Sequence, residues 1–271
     1  AWLPLVRDFA IRDMMVSIKT DLERLNIHMD RFSSERALVD SGTVDATIQK
    51  LQDKQLIYQG VLEKPKAGNA EDWEPREQML FRSTDFGDDV DRAVMKSDGT
   101  WTYFASDIAY HLDKIDRGSK TLVDIWGADH GGYVKRMKSA VAAFTGNKES
   151  LNVQLVQLVK LMDNGQQVKM SKRAGTFVTL SDVLDAVGRD ILRFIMLTRR
   201  ADQTMDFDYA EVTKQSRDNP VFYVQYAHAR ACSVLRQDEA KAIANAEADL
   251  SCLTDDHELA LIKLLASFPR Q

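Results

Sequence analysis

Two lysines on a short segment late in the chain are the residues best suited to chemistry. Lys169 and Lys172 lie three residues apart in the run Val168-Lys169-Met170-Ser171-Lys172-Arg173. Paired ammonium groups on a loop can stabilise the charge that grows on a polyphosphate during a reaction, and the hydroxyl of Ser171 can add a hydrogen bond. A basic loop is more often simply solvated, so this interpretation depends on the rest of the chain.

The surroundings of this loop favour a defined phosphate site. A β-branched and aliphatic segment, Val153 to Met162, predicts a strand, and Asn164-Gly165 after it predicts a hairpin turn. The stretch from Gln166 to Arg200 holds seven basic and three acidic side chains, whereas the whole chain has a net charge of −5. A basic zone within an acidic protein indicates a local anion site and argues against general coating of nucleic acid.

A glycine-rich turn forms a second candidate site. The sequence Gly127-Ala128-Asp129-His130-Gly131-Gly132 follows a compact apolar segment, Thr121 to Trp126, and precedes a helical pattern that runs to Phe144. Glycine lets the backbone approach a ligand closely, and a carboxylate can accept hydrogen bonds from ribose hydroxyls. A strand, a glycine-rich turn and a helix therefore predict a nucleotide pocket, although the dinucleotide pattern GxGxxG is absent.

A third candidate is the pair Tyr103 and Asp107. The two residues flank a predicted change from strand to helix, just after a turn at Ser97-Asp98-Gly99-Thr100. Open α/β sheets bind ligands at such junctions. The alternative is that Asp107 only caps the helix.

The remaining pattern is mainly helical. We expect a first helix over Ala1 to Leu25 whose methionine-rich apolar stripe faces the core, and a second over Ser41 to Gln59. Lys64 to Glu77 has the composition of a surface loop, and the aspartates between Phe86 and Arg92 indicate a solvated acidic turn more than a cation site.

Farther along, the pattern predicts two short helices and one long helix. The short ones cover Asp182 to Val187 and Asp190 to Thr198, and Asp206-Phe207-Asp208 follows as a connector. The long helix opens at Asn219-Pro220, with asparagine as the cap and proline in the first turn, and places His228 on its core side.

Composition excludes several classes of protein. The chain of 271 residues is 44% hydrophobic and 28% charged, which is ordinary for a globular protein. Its two cysteines, Cys232 and Cys252, lack the spacing of a zinc site or a disulfide framework and indicate a reducing compartment. No apolar run approaches the length of a membrane span. Because the chain starts at Ala1 and stops without a tail, we expect it to be a piece of a longer protein.

Four segments together resemble the arginyl-tRNA synthetases, a family of class I aminoacyl-tRNA synthetases. The run Val168 to Arg173, part of the segment 168–175 called the lysine loop below, resembles the class I KMSKS signature with Arg173 in place of its last serine. Ile125-Trp126-Gly127-Ala128-Asp129-His130 resembles the nucleotide-side turn of the family, and the segment from Tyr103 to Tyr110 resembles its arginine-binding segment. Asp218-Asn219-Pro220 and Gln225-Tyr226-Ala227-His228-Ala229-Arg230 resemble the start of its anticodon-binding domain.

The resemblance implies an α/β fold in two parts. Residues 1–212 would form the second half of a class I (HUP-type) Rossmann-like nucleotide-binding catalytic domain, with an inserted segment at about 30–95 and the lysine loop at 168–175. Residues 213–271 would begin an α-helical anticodon-binding domain. The upstream HIGH signature of class I enzymes does not occur in this sequence, where the early histidine His28 lies in Asn26-Ile27-His28-Met29.

The resemblance also implies a function: activation of arginine with ATP and its transfer to tRNA(Arg), by a monomer in the cytoplasm. ATP would bind with Mg²⁺ as a substrate complex, and no tightly bound metal is expected. The implied site residues are, for catalysis, Lys169 and Lys172; for ATP, Gly127, Asp129, His130, Met170 and Ser171; for arginine, Tyr103, Asp107 and Asp129; and for tRNA, Tyr226 and Arg230. The alternatives are a non-catalytic tRNA-binding fragment or paralogue, or a class I synthetase for another amino acid.

Overall fold

The computed structural model describes residues 2–62, 76–168, 177–216, 219–237 and 249–268. These residues fall into two compact units, Ala1–Thr213 and Lys214–Gln271. Among the helices of these ranges, none combines the length and the apolar composition that a bilayer span requires.

The described elements mix helices and strands, which confirms the α/β class. The helices are α1 Leu3–Arg24, α2 Glu35–Asp40, α3 Thr43–Asp53, α4 Tyr103–Asp116, α5 Val134–Thr145, α6 Leu180–Val187, α7 Arg189–Leu197, α8 Tyr209–Val212, α9 Pro220–Leu235 and α10 Asp256–Ser267. The strands are β1 Ile57–Val61, β2 Glu77–Phe81, β3 Arg92–Ala93, β4 Leu122–Gly127, β5 Leu151–Val156, β6 Val159–Asp163, β7 Gln166–Gln167 and β8 Met205–Asp208.

A parallel β-α-β unit forms the centre of the first compact unit. Strands β4 and β5 pair in parallel from Leu122↔Leu151 to Gly127↔Val156, and α5 connects them. Helices α3, α4 and α5 bury apolar side chains against this pair, with Ile108 and Met137 fully covered. The carboxyl end of β4 therefore leads straight into the glycine-rich turn, above a well-packed core.

Two further sheets flank this unit in sequence. Strands β1, β2 and β3 form an antiparallel sheet, while β6 pairs antiparallel with β7 and parallel with β8. A second core lies around β6 and β8, where Phe207 is fully buried among side chains of α6 and α7.

The hairpin turn at Asn164-Gly165 is confirmed. Both residues have positive φ, 49° and 77°, which suits the tight turn between β6 and β7. Their backbone amides donate to the carboxylate of Asp208, at 3.2 and 2.6 Å. The end of β8 thus holds the turn that precedes the lysine loop.

Most of the apolar stripe predicted for the first helix faces no core, contrary to expectation; Leu25, which directly follows α1, is buried in the second core. No residue of α1 is buried, and Ile11 is 52% exposed. At the C-terminal end Arg24 contacts Ser181 and Asp185, and Arg193 donates to the carbonyl of Leu25 at 2.7 Å. Nearer the N-terminus, Arg36 of α2 donates to the exposed carboxylate of Asp8 at 3.3 Å. Spacing alone identified the helix but not whether neighbouring elements cover it.

Several boundaries also differ from the expectation. The second predicted helix ends at Asp53 because the residues from Ile57 pair as β1. The predicted strand from Val153 to Met162 is split between β5 and β6, which belong to different sheets. The presumed connector at Asp206-Phe207-Asp208 is part of strand β8.

The acidic segment before β3 is only partly the predicted solvated turn, because the Asp89 side chain is 70% exposed whereas that of Asp88 is not. The Asp88 side chain is almost fully buried and accepts two hydrogen bonds from Arg92, at 2.7 and 2.8 Å. Burial opposes ionisation, but the bonds from Arg92 and from the Asp89 amide hold the pKa of Asp88 below its usual value. The described residues contain no group of three or more His, Cys, Asp or Glu placed to hold a metal ion.

The second unit contains α9 and α10. Asn219 caps α9 as predicted, since its side chain accepts from the Val221 amide at 3.1 Å. His228 is exposed, however, so its placement on a core side is wrong. Apart from Val221, α9 buries no side chain, and α10 buries none.

Candidate functional site

An open cleft of about 420 Å³ lies between α4 and the end of β4. It is lined by side chains of α4, β4 and the turn that follows β4: Asp107, Tyr110, His111, Lys114, Asp124, Ile125, Trp126, Gly127, His130 and Tyr133. The cleft therefore lies at the carboxyl end of a parallel strand, where α/β proteins place their ligands.

Helix α4 presents its polar residues to the cleft in one row. Thr102 caps the helix by accepting from the Ala105 amide, so Asp107 lies inside the helix and is not its cap. Asp107, His111 and Lys114 recur at intervals of four and three residues, which places them on one face. Phe104 and Ile108 of the same helix are buried in the core cluster.

The Asp107 carboxylate is held by a partner from the turn after β4. The hydroxyl of Tyr133 donates to Oδ2 of Asp107 at 2.7 Å. Burial and this hydrogen bond raise the pKa of the Tyr133 hydroxyl, so the group remains a donor at physiological pH. Within the described part of the chain, Oδ1 of Asp107 has no hydrogen bond from a protein group.

The floor of the cleft contains a buried polar cluster. The His111 ring lies 2.7 Å from a carboxylate oxygen of Asp124 through Nε2 and 2.7 Å from the Asp107 carbonyl oxygen through Nδ1. Lys114 donates to the other carboxylate oxygen of Asp124 at 3.2 Å. Burial by itself would raise the pKa of Asp124, but His111 and then Lys114 hold it below its usual value.

The glycine-rich turn forms the rim. Gly127 has Oδ1 of Asp129 only 2.6 Å from the position that a Cβ would take, so glycine allows the carboxylate to fold over the backbone. The Asp129 side chain is 82% exposed, and His130 lies beside it with Nε2 3.7 Å from Oδ2. An exposed carboxylate over an open backbone can accept hydrogen bonds from a ligand.

The predicted site residues are thus only partly brought together. Asp107, Gly127 and His130 line one cleft. Tyr103 begins α4 one turn before Asp107 and is 77% exposed, with Lys96 over its ring at 5.6 Å. The loop residues Lys169, Met170, Ser171 and Lys172 lie outside the described residues.

The two residues predicted to contact tRNA lie together in the second unit. Arg230 donates to the Tyr226 hydroxyl at 3.2 Å, and both side chains are exposed on α9. Tyr226 also lines an open depression of about 710 Å³ together with Gln215, Ser216, Phe222 and Tyr223.

Comparison with known proteins finds relatives of this chain in one family. Residues 224–271 match the DALR anticodon binding domain. The whole chain is 58% identical to an arginine--tRNA ligase of Roseobacter denitrificans, and 99% of it is 56% identical to one from Rhodospirillum rubrum. The chain belongs to the arginyl-tRNA synthetase family. It spans about half, 47%, of the length of these curated relatives.

Solved structures of arginyl-tRNA synthetases share the fold. A structure from Campylobacter jejuni, described as an arginyl-tRNA synthetase, is 36% identical with a TM-score of 0.73, over 86% of this chain and 48% of that one. The enzyme from Thermus thermophilus is 18% identical with a TM-score of 0.72, over 97% of this chain and 51% of that one. The likeness to the second structure concerns the fold alone.

Sequence reasoning did not select three residues that line the cleft: His111, Asp124 and Tyr133. Asp124 carried a signal, because an aspartate within an otherwise apolar strand is expected to have a buried partner. His111 carried another, since it follows Asp107 by one helical turn. Tyr133 carried no such signal, because its hydroxyl bond to Asp107 joins residues 26 positions apart.

Proposed function

We propose that this chain carries the arginine-binding and triphosphate-binding parts of an arginine--tRNA ligase. The observation that supports the proposal most directly is the Asp107 carboxylate, held by Tyr133 in a cleft that ends at the glycine-rich turn. The relatives that match the whole chain are named for the same activity. Because the chain spans about half of their length, the complete reaction is assigned to the natural polypeptide that contains these residues.

In this proposal Asp107 selects arginine through its charge and shape. A carboxylate can accept two parallel N–H bonds from a guanidinium, a geometry that the ammonium of lysine cannot reproduce. Tyr103 and Asp129 would complete the amino-acid site from the start of α4 and from the rim. A site built to hydrogen-bond a guanidinium rejects substrates that lack the matching donors.

The chemical step would be displacement at the α-phosphorus of ATP. An oxygen of the arginine carboxylate forms the new bond to phosphorus, the bond to the bridging oxygen of pyrophosphate breaks, and the electron pair leaves with pyrophosphate. Catalysis of this kind depends mainly on positioning and on neutralising the leaving group. Lys169 and Lys172 would neutralise it, Met170 and Ser171 would contact ATP, and the backbone at Gly127 with His130 would contact the nucleotide. ATP would enter as its Mg²⁺ complex.

The second unit would contribute to tRNA binding. The DALR match and the exposed pair of Tyr226 and Arg230 support this part of the proposal. Aromatic and arginine side chains can stack on unpaired bases, which is how proteins commonly contact single-stranded RNA. We further propose that the enzyme acts as a monomer in the cytoplasm.

Calorimetry with L-arginine and ATP–pyrophosphate exchange test the proposal. We expect arginine binding by the natural polypeptide to be strongly weakened but still measurable in Asp107→Asn, with ATP binding unchanged. Lys169→Ala should slow exchange roughly 10²–10³-fold, the scale of one lost charge-stabilising group. Lys120→Ala is the matched control, because this exposed lysine precedes the opposite end of β4.

Two results would count against the proposal. Arginine affinity that is the same in Asp107→Asn and in the unaltered protein would remove Asp107 from the site. Binding of tRNA(Arg) without any arginine-dependent exchange by the natural polypeptide would favour the non-catalytic alternative. We expect the isolated 271 residues to be inactive in exchange, because their sequence lacks the HIGH signature.

A further inference from the structure

The orientation of the Asp107 carboxylate depends on a tyrosine from another element. Asp107 projects from α4, while Tyr133 ends the turn after β4. Both residues line the cleft, and the hydrogen bond between them, 2.7 Å from the phenol oxygen to Oδ2, joins the two elements. A carboxylate with no partner rotates about its last torsion, whereas one oxygen with a fixed donor sets the plane of the whole group.

Tyr133 is itself fixed by three neighbours. Its ring packs against Trp126 and Phe104, with centroids 5.7 and 6.2 Å away, and the Arg136 guanidinium lies over its face at 4.8 Å. The two aromatic contacts hold the ring without using its hydroxyl, whereas Arg136 also interacts with the hydroxyl and acts against the rise in its pKa that burial and Asp107 cause. The hydroxyl is therefore a rigid donor aimed at Asp107, and the raised pKa noted above keeps it protonated.

We propose that Tyr133 is a positioning residue for the amino-acid substrate, and that its hydroxyl orients the Asp107 carboxylate for a bidentate contact with a guanidinium. The inference rests on the proposed function, because it assumes that Asp107 receives arginine. An ionised carboxylate has about four acceptor positions, so one bond from Tyr133 leaves Oδ1 and a second position on Oδ2 for the substrate. Two parallel N–H bonds need both oxygens in the plane of the guanidinium, which the tyrosine provides before the ligand arrives.

A purely structural role is the competing explanation. A hydrogen bond between two elements could serve only to join α4 to the turn after β4. The chain contains a matched example of such a bond: Tyr58 of β1 donates to Oδ2 of Asp91 at 2.8 Å, and burial and this bond also raise the pKa of Tyr58. Tyr58 does not line the cleft around Asp107.

A double-mutant cycle separates the two roles. Tyr133→Phe keeps the ring and its contacts and removes only the oxygen, and it is combined with Asp107→Asn in the natural polypeptide. We expect Tyr133→Phe to weaken arginine binding about tenfold, the scale of one hydrogen bond to a charged group. The KM for ATP and the kcat of exchange should change less than twofold. In the Asp107→Asn background the same change should have almost no effect on arginine binding.

Tyr58→Phe is the control for general loss of a tyrosine–aspartate bond. The fall in melting temperature that Tyr58→Phe causes should not exceed the fall that Tyr133→Phe causes, and arginine affinity should be unchanged in Tyr58→Phe. Calorimetry, exchange kinetics and thermal melting on the four proteins and this control give all the required values.

Several outcomes would overturn the inference. Unchanged arginine affinity in Tyr133→Phe would do so, including the case in which only its melting temperature falls. Equal losses in the presence and absence of the Asp107 carboxylate would show that the hydroxyl does not act through Asp107. If the unaltered polypeptide binds no arginine, the proposed function fails and this inference with it; if it binds arginine and Tyr133→Phe binds equally well, only the inference fails.

Discussion

Two helices of the first compact unit, α1 and α4, differ in how the fold uses their apolar residues. Helix α1 has 22 residues and buries none, whereas α4 has 14 residues and buries seven. The difference lies in their neighbours: α4 packs against α3, α5 and the β4–β5 pair, while α1 is joined to the rest of the unit by polar contacts, at Asp8 and near its C-terminal end. A helical face is therefore a core face only where other elements cover it.

The site follows the same division. Because α4 is fixed by its buried side, its cleft side can hold Asp107 and His111 at set positions. Hydrogen bonds from residues on other elements then set the orientation of these side chains: Tyr133 orients Asp107, and Asp124 orients His111. Substitutions on α4 and β4 should accordingly cost far more free energy of unfolding than substitutions on α1.

The largest effect is expected in the core side of α4. Ile108 is 1% exposed and packs in the cluster that includes α5 and the parallel strands. We expect Ile108→Ala to lower the free energy of unfolding by roughly 4 kcal/mol, through lost transfer energy and a residual cavity. Urea unfolding followed by circular dichroism measures this loss. A change below about 1 kcal/mol, the size expected for a surface position, would show that α4 is not packed as described.

The buried cluster of His111, Asp124 and Lys114 should show the next largest effect. Asp124→Asn leaves His111 and Lys114 facing an uncharged amide, so we expect a loss of about 2–3 kcal/mol at neutral pH. In the unaltered chain the pKa of Asp124 is lower in the folded state than in the unfolded state. The carboxylate therefore stabilises the fold at pH values above the usual aspartate pKa, about 3.9, and this contribution is lost as the pH falls below that value.

The pH dependence therefore distinguishes the charge from the shape of Asp124. Unfolding free energies of the unaltered chain and of Asp124→Asn should converge as the pH is lowered toward the folded pKa of Asp124. Asp91→Asn is a useful control, since Asp91 accepts from Tyr58 and Thr84 away from this cluster. Parallel curves for the unaltered chain and Asp124→Asn across that acid range would contradict the assignment.

Local features of the fold were predictable from the sequence, and non-local ones were not. The Asn164-Gly165 turn, the strand ending at Gly127 and the Asn219 cap each depend on a few neighbouring residues, and each is found. The burial of α1 depends on elements far along the chain, so its periodicity predicted the helix and misjudged its environment. Asp206-Phe207-Asp208 was misread for the same reason, because its pairing with β6 is distant in sequence.

The candidate site shows the same limit. Asp107 and Gly127 could be chosen from motif and spacing, since a glycine-rich turn after a strand has a recognisable chemistry. The partners that orient Asp107 could not, because Tyr133 reaches it only after β4 folds beside α4. Likewise Asp88 was expected to be solvated, and its burial depends on the bonds that Arg92 donates to it.

The start of α4 offers a smaller and more local test. Thr102 accepts from the Ala105 amide and also donates to the Ala93 carbonyl, at 3.3 and 3.1 Å. We expect Thr102→Ala to cost about 1 kcal/mol, the usual value of a lost N-cap. Ser34→Ala, which removes the cap of the short helix α2, is the matched comparison and should cost less because no residue of α2 is buried. A larger loss for Ser34→Ala would reverse the order that burial predicts.

The smallest effect should come from the middle of α1. Ile11 is about half exposed, and the helix around it contributes no side chain to either core. We expect Ile11→Ala to change the free energy of unfolding of this chain by less than about 0.5 kcal/mol, since it leaves no cavity and alanine favours helix. Ile108→Ala is the same substitution in α4, so the pair compares one side chain in two environments. A loss at Ile11 that approaches the loss at Ile108 would mean that α1 is packed in solution, and the contrast between the two helices would be wrong.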